Sequence, residues 1–583
     1  MTEYIIGIDL GTSNCSLSYR KNGEQESKQL EIFEKNEDGL ECPSYCLPSF
    51  MFFPLEEEKI EKEAFYLGHY ARKRGIEQPK RVLSSAKSWL CHGQLNRREA
   101  FLPLHADQQM SPLNACVHYL KALKKSWDRQ FPSAAFDEQS LFITVPASFD
   151  PSARQLVEEA AQMASCAQAV FLEEPQSAFY SWLDKKGDAW RKELFVGDTV
   201  LVVDIGGGTS DFSLIGVADQ EGDLSLERLA VGEHLLLGGD NMDLALAHFL
   251  LQKIEKDGHK IDQWQFQELL ARARLAKEAI FEGQESMSIC LSGKGSSFLS
   301  GSIETVLELS EIEKIIADGF FPILSSRELP KQKIRSGFQQ IGLPFESDAR
   351  ITAHIASFLS KAGGERGFVL PSAILLNGGV FKALPLQKRL KDIFSNWALE
   401  SGLEPPRILD ASDLSYAVSR GAVYYGLSRQ GKAVRIKSGV SHNYYIGIEE
   451  PSPAVPGMEI PIKALCVVPF GLEEGSQLDL DLEALYLLLG QKSSFRFFSK
   501  KPALDEAPDQ IGNLIPSKGL QEHHPIETQL DDAHGDTGLI KVSIRSCVSE
   551  LGLLELYCIA ADGQQWKLEF DLRSEAPQGI LST

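Results

Sequence analysis

The stretches IGIDLGTSNCSLSY (6–19) and VVDIGGGTSDFSLI (202–215) repeat one order of residue types: an apolar strand ending in an aspartate, a glycine turn bearing hydroxyls, then a second strand. Glycines at a strand end let backbone N–H groups approach an oxyanion, and neighbouring hydroxyls add donors. An aspartate at the strand terminus can hold a hydrated divalent cation. One copy would read as an ordinary turn. Two copies, with Asp9 and Asp204 separated by 195 residues (204 minus 9), read as two jaws of a polyphosphate clamp. Neither turn has the G-x-x-x-x-G-K-[ST] or G-x-G-x-x-G spacing of the common nucleotide motifs.

The elements that would position these turns alternate between strand-like runs and amphipathic helices up to about residue 430, an α/β pattern. In LFITVPASFDPSARQLVEEAAQMAS an apolar strand (141–145) is followed by Asp150 as N-cap, Pro151 at the first helical position, and Ala153, Leu156, Val157, Ala160 and Ala164 at helical spacing. LLLGGDNMDLALAHFLLQKIEK (235–256) predicts a second turn–helix unit, capped by Asp240, with Met242, Ala245, Leu246, Phe249 and Leu250 on its apolar stripe. SAILLNGGVFKALPLQKRL (372–390) predicts a third, a buried strand meeting a Gly-Gly turn before a helix.

From Tyr444 to Leu572 the runs are short and alternating, which predicts a second, all-β domain. Its clearest unit is a hairpin in GLLELYCIAADGQQWKLEFDLR (552–573), where Leu554, Leu556 and Cys558 alternate, Asp562-Gly563 turns the chain, and Trp566, Leu568 and Phe570 return. The polar segment 497–538 reads as a long loop with an exposed His523-His524 pair, and the last ten residues read as a tail.

With 59 Lys and Arg against 81 Asp and Glu, the net charge of −22 argues against a nucleic-acid partner. The basic cluster ARKRG (71–75) reads as solvated helix surface. The ten cysteines are scattered singly, and neither Cys42/Cys46 nor Cys91-His92 has a second pair at zinc spacing, so they read as reduced thiols. No secretion pattern follows Met1 and no apolar run is long enough to span a membrane, so the expected location is cytoplasmic.

Six motifs, GIDLGTSN (7–14), ITVPASFD (143–150), LEEPQSAFY (172–180), VVDIGGGTSDFS (202–213), LGGDNMD (237–243) and LLNGGVFK (375–382), occur in one order. In that order the chain resembles the heat shock protein 70 (DnaK-like) chaperones, whose nucleotide fold is shared with actin and the sugar kinases. The resemblance implies an actin-like, two-lobed ATPase domain over 1–432, a linker at 433–443, a small all-β polypeptide-binding domain at 444–573 and a tail at 574–583. It implies ATP or ADP with Mg²⁺ in the cleft. As partners it implies unfolded or extended polypeptide clients, a J-domain co-chaperone and a nucleotide exchange factor; no His-Pro-Asp tripeptide makes the chain its own J-domain activator.

Carried over residue by residue, the resemblance implies that Gly11, Thr12, Ser13, Gly206, Gly207, Gly208 and Thr209 hold the phosphates, and that Asp9 and Asp204 bind Mg²⁺ through water. Asp211 and Glu174 would organise the attacking water, Glu174 at a helix start that favours its ionised form. Lys87 in SSAKSWLCHG would be the catalytic lysine. On the adenosine side Lys277, Gly378 and Gly379 match the family. Arg274 and Glu278 stand where the family has a glutamate and an arginine, Val380 and Lys382 where it has a serine and an arginine, and Ser415 where it has an acid. YYIGIE (444–449) and GLLELYCIAADG resemble strands of the family's substrate domain, whereas AVRIKSGVSH (433–442) replaces its acidic, leucine-rich linker. The chain ends where the helical lid would begin, so the expectation is a divergent, lidless ATP-dependent chaperone that hydrolyses slowly. A nucleotide-gated scaffold with little turnover and a small-molecule kinase are the rival readings.

Overall fold

The computed structural model describes residues 2–59, 63–104, 106–147, 149–220, 223–233, 235–291, 303–331, 342–410, 413–437, 440, 442–449, 461–470, 472–473, 475–480, 485–500, 509–523, 525–531, 537–549 and 553–571. The expected tail at 574–583 and three positions of the expected linker, 438, 439 and 441, lie outside them. The chain separates into two compact units, Met1–Arg435 and Ile436–Thr583.

The first unit carries two sheets built on one plan. In the first, β1 (Tyr4–Leu10) and β2 (Asn14–Lys21) form an antiparallel hairpin, and β3 (Ser140–Val145) and β4 (Val170–Glu173) add in parallel, in the order β4-β3-β1-β2. In the second, β5 (Thr199–Ile205) and β6 (Ser210–Gln220) form the hairpin, β7 (Asp223–Val231) extends it, and β8 (Ala373–Asn377) lies parallel to β5. β1 and β5 are apolar throughout their middles because a strand flanked on both sides and covered on both faces has no face left for water.

Helices cover these sheets: α1 (Gly68–Glu77), α2 (Ala86–Trp89), α3 (Pro112–Gln130), α4 (Pro151–Met163), α5 (Glu174–Lys186), α6 (Gly239–Lys256), α7 (Gln263–Phe281), α8 (Ile351–Ala362), α9 (Leu384–Ser401) and α10 (Ala417–Arg429). Helix α4 starts as its sequence dictates, with the Asp150 carboxylate accepting from the Ala153 N–H at 2.7 Å. Its predicted stripe, Ala153, Leu156, Val157, Ala160 and Ala164, is buried. Helix α6 differs from expectation. Gly238 is its N-cap, the Asn241 side chain accepts from the Gly238 N–H at 2.9 Å, and Asp240 sits inside the first turn, free to point at other partners. Leu246 and Leu250 of α6, Leu269 of α7, Ile355 of α8 and Trp397 of α9 close a core against Leu201 and Val203 of β5. Each such fully buried side chain contributes roughly 1.5–3 kcal/mol. On the first sheet α10 ties its Ser419 hydroxyl to Ser16 and Ser18 of β2, at 3.0 and 2.7 Å.

The second unit contains strands and, among the described residues, no helix. One sheet centres on β9 (Asn443–Glu449), β10 (Ile462–Val468) and β11 (Phe497–Lys500); the other on β12 (Gly538–Val548), β13 (Leu553–Ala560) and β14 (Gln565–Asp571). Tyr444, Leu465 and Phe497 pack on Leu554, Leu568 and Phe570, and the Phe497 and Phe570 rings stack at 4.3 Å. The expected 553–571 hairpin forms, turning at Gly563 with φ +91°. The expected loop at 497–538 is instead broken into short strands at 497–500, 514–516, 521–522 and 526–529. These runs of two to four residues are too short to show a period in the sequence, and tertiary anchors hold them: the Tyr445 hydroxyl on Asp509 at 2.5 Å and the Trp566 indole on the Asp531 carbonyl at 2.9 Å. His523 is half-buried, its ring on the Ser499 hydroxyl at 2.7 Å, and His524 lies outside the described residues.

Candidate active site

The duplicated turns meet. Gly11, Thr12 and Ser13 between β1 and β2 and Gly206, Gly207 and Thr209 between β5 and β6 line one cleft of about 470 Å³, with Asp9, Glu174 and Asp204 in its wall, whereas Gly208, Lys87 and Asp211 lie behind that lining. Lys277, Gly378, Gly379 and Lys382 line the same cleft, so residues far apart in the chain converge there.

The turns are pressed together. A Cβ on Gly208 would collide with the Ser88 Oγ and stand 2.9 Å from the Thr12 Cγ2. Gly378, at φ +90°, faces the Ile205 carbonyl, and a Cβ there would lie 2.7 Å from the Asp204 Oδ1. A side chain at either place would wedge the cleft walls apart. Gly379 has nothing within 4 Å of where its Cβ would be. The Gly206 and Gly207 carbonyls are taken by the first amides of α6, at 3.0 and 2.7 Å, and the Gly11 carbonyl by the Ser49 hydroxyl at 2.7 Å. By contrast, the amides of Thr12, Ser13, Gly207, Gly208 and Thr209 have no protein acceptor among the described residues. Mostly occupied carbonyls and unpartnered amides make both turns rich in free donors, which suits an anion.

Carboxylates surround these donors. Asp9 lies across the parallel β1–β3 pair from Thr144, whose hydroxyl donates to the Ile8 carbonyl at 3.3 Å, and Asp204 lies across the β5–β8 pair from Asn377. Burial, then the nearby Glu174, push the Asp9 carboxyl up to about 7. Asp204 is driven well above its ordinary value by burial and by Glu174. Asp211 stands opposite Asp204 in the β5–β6 hairpin. Lys87, only 3% exposed, pairs with Glu174. Burial opposes its charge, but Glu174 and Asp9 outweigh that and hold the ammonium above its usual value. Glu174 opens α5 as expected, yet its carboxyl is shifted upward, because burial and Asp211 outweigh Lys87 and the helix start. It does not cap the helix: Glu173 is the N-cap residue, with no side-chain cap bond. No three His, Cys, Asp or Glu side chains among the described residues are grouped to hold a metal directly, but carboxyls that burial makes costly to ionise would ionise more readily beside a divalent cation, so Asp9 and Asp204 could hold Mg²⁺ through water and the turns could hold phosphates.

On the adenosine side Lys277 is drawn to Asp243 at 2.6 Å, and Arg274 pairs with Asp240 and Asp243. Those two cations keep the buried Asp243 carboxyl below its ordinary value despite desolvation.

Several contacts here are not legible in the sequence. Asp240 accepts the Ser85 hydroxyl at 2.8 Å and so joins α6 to the turn before Lys87. Arg72, expected to be solvated, reaches Glu278 at 2.5 Å, and Arg274 lies over the Phe50 ring at 5.8 Å. Glu173 and Arg228 form an ion pair at 3.0 Å between β4 and β7, 0% and 7% exposed. Thr144 and Asn377 had a readable signal, since each is a polar residue near the end of the strand parallel to its aspartate. The others depend on partners more than 50 residues away and leave no local trace.

This is a mixed α/β protein with an acidic, donor-lined cleft where two copies of one turn converge. A family model described as Hsp70 protein matches residues 5–297, just over half of the chain, and the chain belongs to the Hsp70 family. A curated relative, the chaperone protein DnaK of Psychrobacter cryohalolentis, is 26% identical over 305 residues. That alignment covers 48% of this chain and 42% of the relative. Five of the six ordered motifs fall within the matched span; LLNGGVFK at 375–382 lies beyond it, although Gly378 and Gly379 line the same cleft. No helix among the described residues is long and apolar enough to cross a membrane.

Proposed function

We propose that the chain is an ATP-dependent chaperone-like protein. In this reading residues 1–432 form an actin-like ATPase domain, 433–443 a linker, and 444–573 a β domain that binds unfolded or extended polypeptide by backbone hydrogen bonds. Bound Mg²⁺ would supply charge neutralisation on the phosphates. Asp9 and Asp204 hold it through water, the amides of both turns and the Thr209 hydroxyl bind phosphate oxygens, and Lys87 offsets charge on the terminal phosphoryl group. Glu174 and Asp211 orient the attacking water. The observation that carries this reading is the meeting of unpartnered amides from both turns with carboxylates that burial makes costly to ionise.

The test is single-turnover hydrolysis of ATP with Mg²⁺ by the wild type, Thr209→Ala and Lys87→Ala, with and without an unfolded polypeptide. Turnover that polypeptide accelerates and both substitutions reduce is the expected result. A second reading, a nucleotide-gated scaffold, draws on the ion pairs that engage Arg274, Lys277 and Glu278 on the adenosine side. It predicts nucleotide binding without turnover.

A further inference from the structure

Ser88 follows Lys87 in the one-turn helix α2 and is 1% exposed. Its hydroxyl has no hydrogen-bond partner among the described residues. The buried Ser126 solves this problem locally, returning its hydroxyl to the carbonyl four residues earlier at 3.0 Å, whereas Ser213 and Ser546 share the unpartnered state of Ser88 among the described residues without standing at a phosphate turn. Ser88 lies too early in its helix for a helical carbonyl at that distance, and solvent is closed to it. An unpartnered buried hydroxyl destabilises the fold, so its presence calls for a partner that arrives from outside.

Its surroundings indicate which partner. The Oγ stands against Gly208, the same glycine that touches Thr12, so the hydroxyl lies at the seam between the two phosphate turns, beside a Gly208 amide that is itself unpartnered. The backbone leading to it is held in place: Ser85 adopts a left-handed φ of +54°, sparsely populated for a non-glycine residue, and its hydroxyl is tied to Asp240 at 2.8 Å. The Ser88 amide closes the turn on the Ser85 carbonyl at 3.1 Å. We propose that the Ser88 hydroxyl is a further hydrogen-bond donor to the terminal phosphoryl group, holding it as it separates from the nucleotide and becomes inorganic phosphate. This inference rests on the nucleotide reading above.

The experiment compares the wild type, Ser88→Ala and Ser88→Cys in three states: alone, with ADP and Mg²⁺, and with ADP, Mg²⁺ and inorganic phosphate. Thermal stability is read in each state and single-turnover ATP hydrolysis in parallel. Ser88→Ala, relieved of its orphan hydroxyl, should be no less stable than the wild type alone and should gain equally from ADP. It should lose the additional stabilisation by phosphate and hydrolyse about a hundredfold more slowly, the loss expected for one preorganised donor. Ser88→Cys, a weaker donor, should fall between. If phosphate and hydrolysis act on Ser88→Ala as on the wild type, the inference is overturned while the nucleotide reading stands. If the wild type responds to neither ADP nor ATP, both fall together.

Discussion

Asp9 and Asp204 occupy the same place in two copies of one three-strand unit: each lies near the end of the first strand of a hairpin, in register with a polar residue, Thr144 or Asn377, on the parallel neighbour. The equivalence means that both aspartates suffer burial for the same purpose. Replacing either by asparagine removes a carboxyl that burial makes costly to ionise but keeps the shape. Asp9→Asn and Asp204→Asn should each raise the melting temperature of the nucleotide-free protein, by about 1 kcal/mol of stability, and abolish the Mg²⁺-dependent part of nucleotide binding. Calorimetric titration of ADP with and without Mg²⁺ checks this; unchanged Mg²⁺ dependence in both variants would sink the cation assignment.

Lys87 and Glu174 stabilise each other in a place neither could occupy alone. Lys87→Met should destabilise the fold by about 3–5 kcal/mol, because it strands a buried carboxylate. Adding Glu174→Gln should recover most of that loss in a denaturant titration. Hydrolysis should stay at least about a hundredfold below wild type in both variants, since the charge opposite the phosphoryl group is gone.

Gly208 and Gly379 separate packing from ligand contact. Gly208→Ala drives a methyl into Ser88 and Thr12 and should cost both stability, by about 1–3 kcal/mol, and nucleotide affinity. Gly379→Ala meets no protein atom, so its melting temperature should match wild type while its nucleotide affinity falls. Equal affinities for Gly379→Ala and wild type would place the ligand elsewhere in the cleft.

The His69 imidazole hydrogen-bonds the buried Glu34 carboxylate at 2.7 Å, and that bond raises its pKa against the opposing effect of burial. A raised histidine pKa contributes stability that is fully present below the unfolded value near 6.5 and disappears as pH rises through the folded value. The melting-temperature difference between wild type and His69→Phe should therefore be largest near pH 5.5 and shrink toward pH 9. The ring is 39% exposed, so the contribution is at most about 1 kcal/mol. A difference independent of pH would show that packing alone accounts for it.

What the sequence made legible follows from where the information sits. The hairpin turns, the α4 cap at Asp150 and the 553–571 hairpin are local, each set by a handful of adjacent residues whose types have one physical use. The two glycine turns that line the cleft stand out in the sequence as a repeat, although their meeting does not. The Glu173–Arg228 and Arg72–Glu278 pairs could not, since an ion pair 55 or 206 residues apart has no periodicity and its members look like surface charges in sequence. The ionisation of Glu174 went the other way from the helix-start argument for the same reason. A local dipole was visible, whereas the burial of the side chain, and after it the distant Asp211, was not.

Three contacts bridge the cleft near its rim: Ser85 to Asp240, Arg72 to Glu278 and Arg274 over Phe50. A nucleotide bound between the two sheets, as proposed above, would be spanned by a fastening separate from the groups that bind it. The Arg72–Glu278 pair is partly open to water and is screened by salt, whereas the turns beneath are enclosed. Rising ionic strength therefore loosens the fastening before it weakens the grip, and shortens the stay of the occupant more than it lowers the rate of capture.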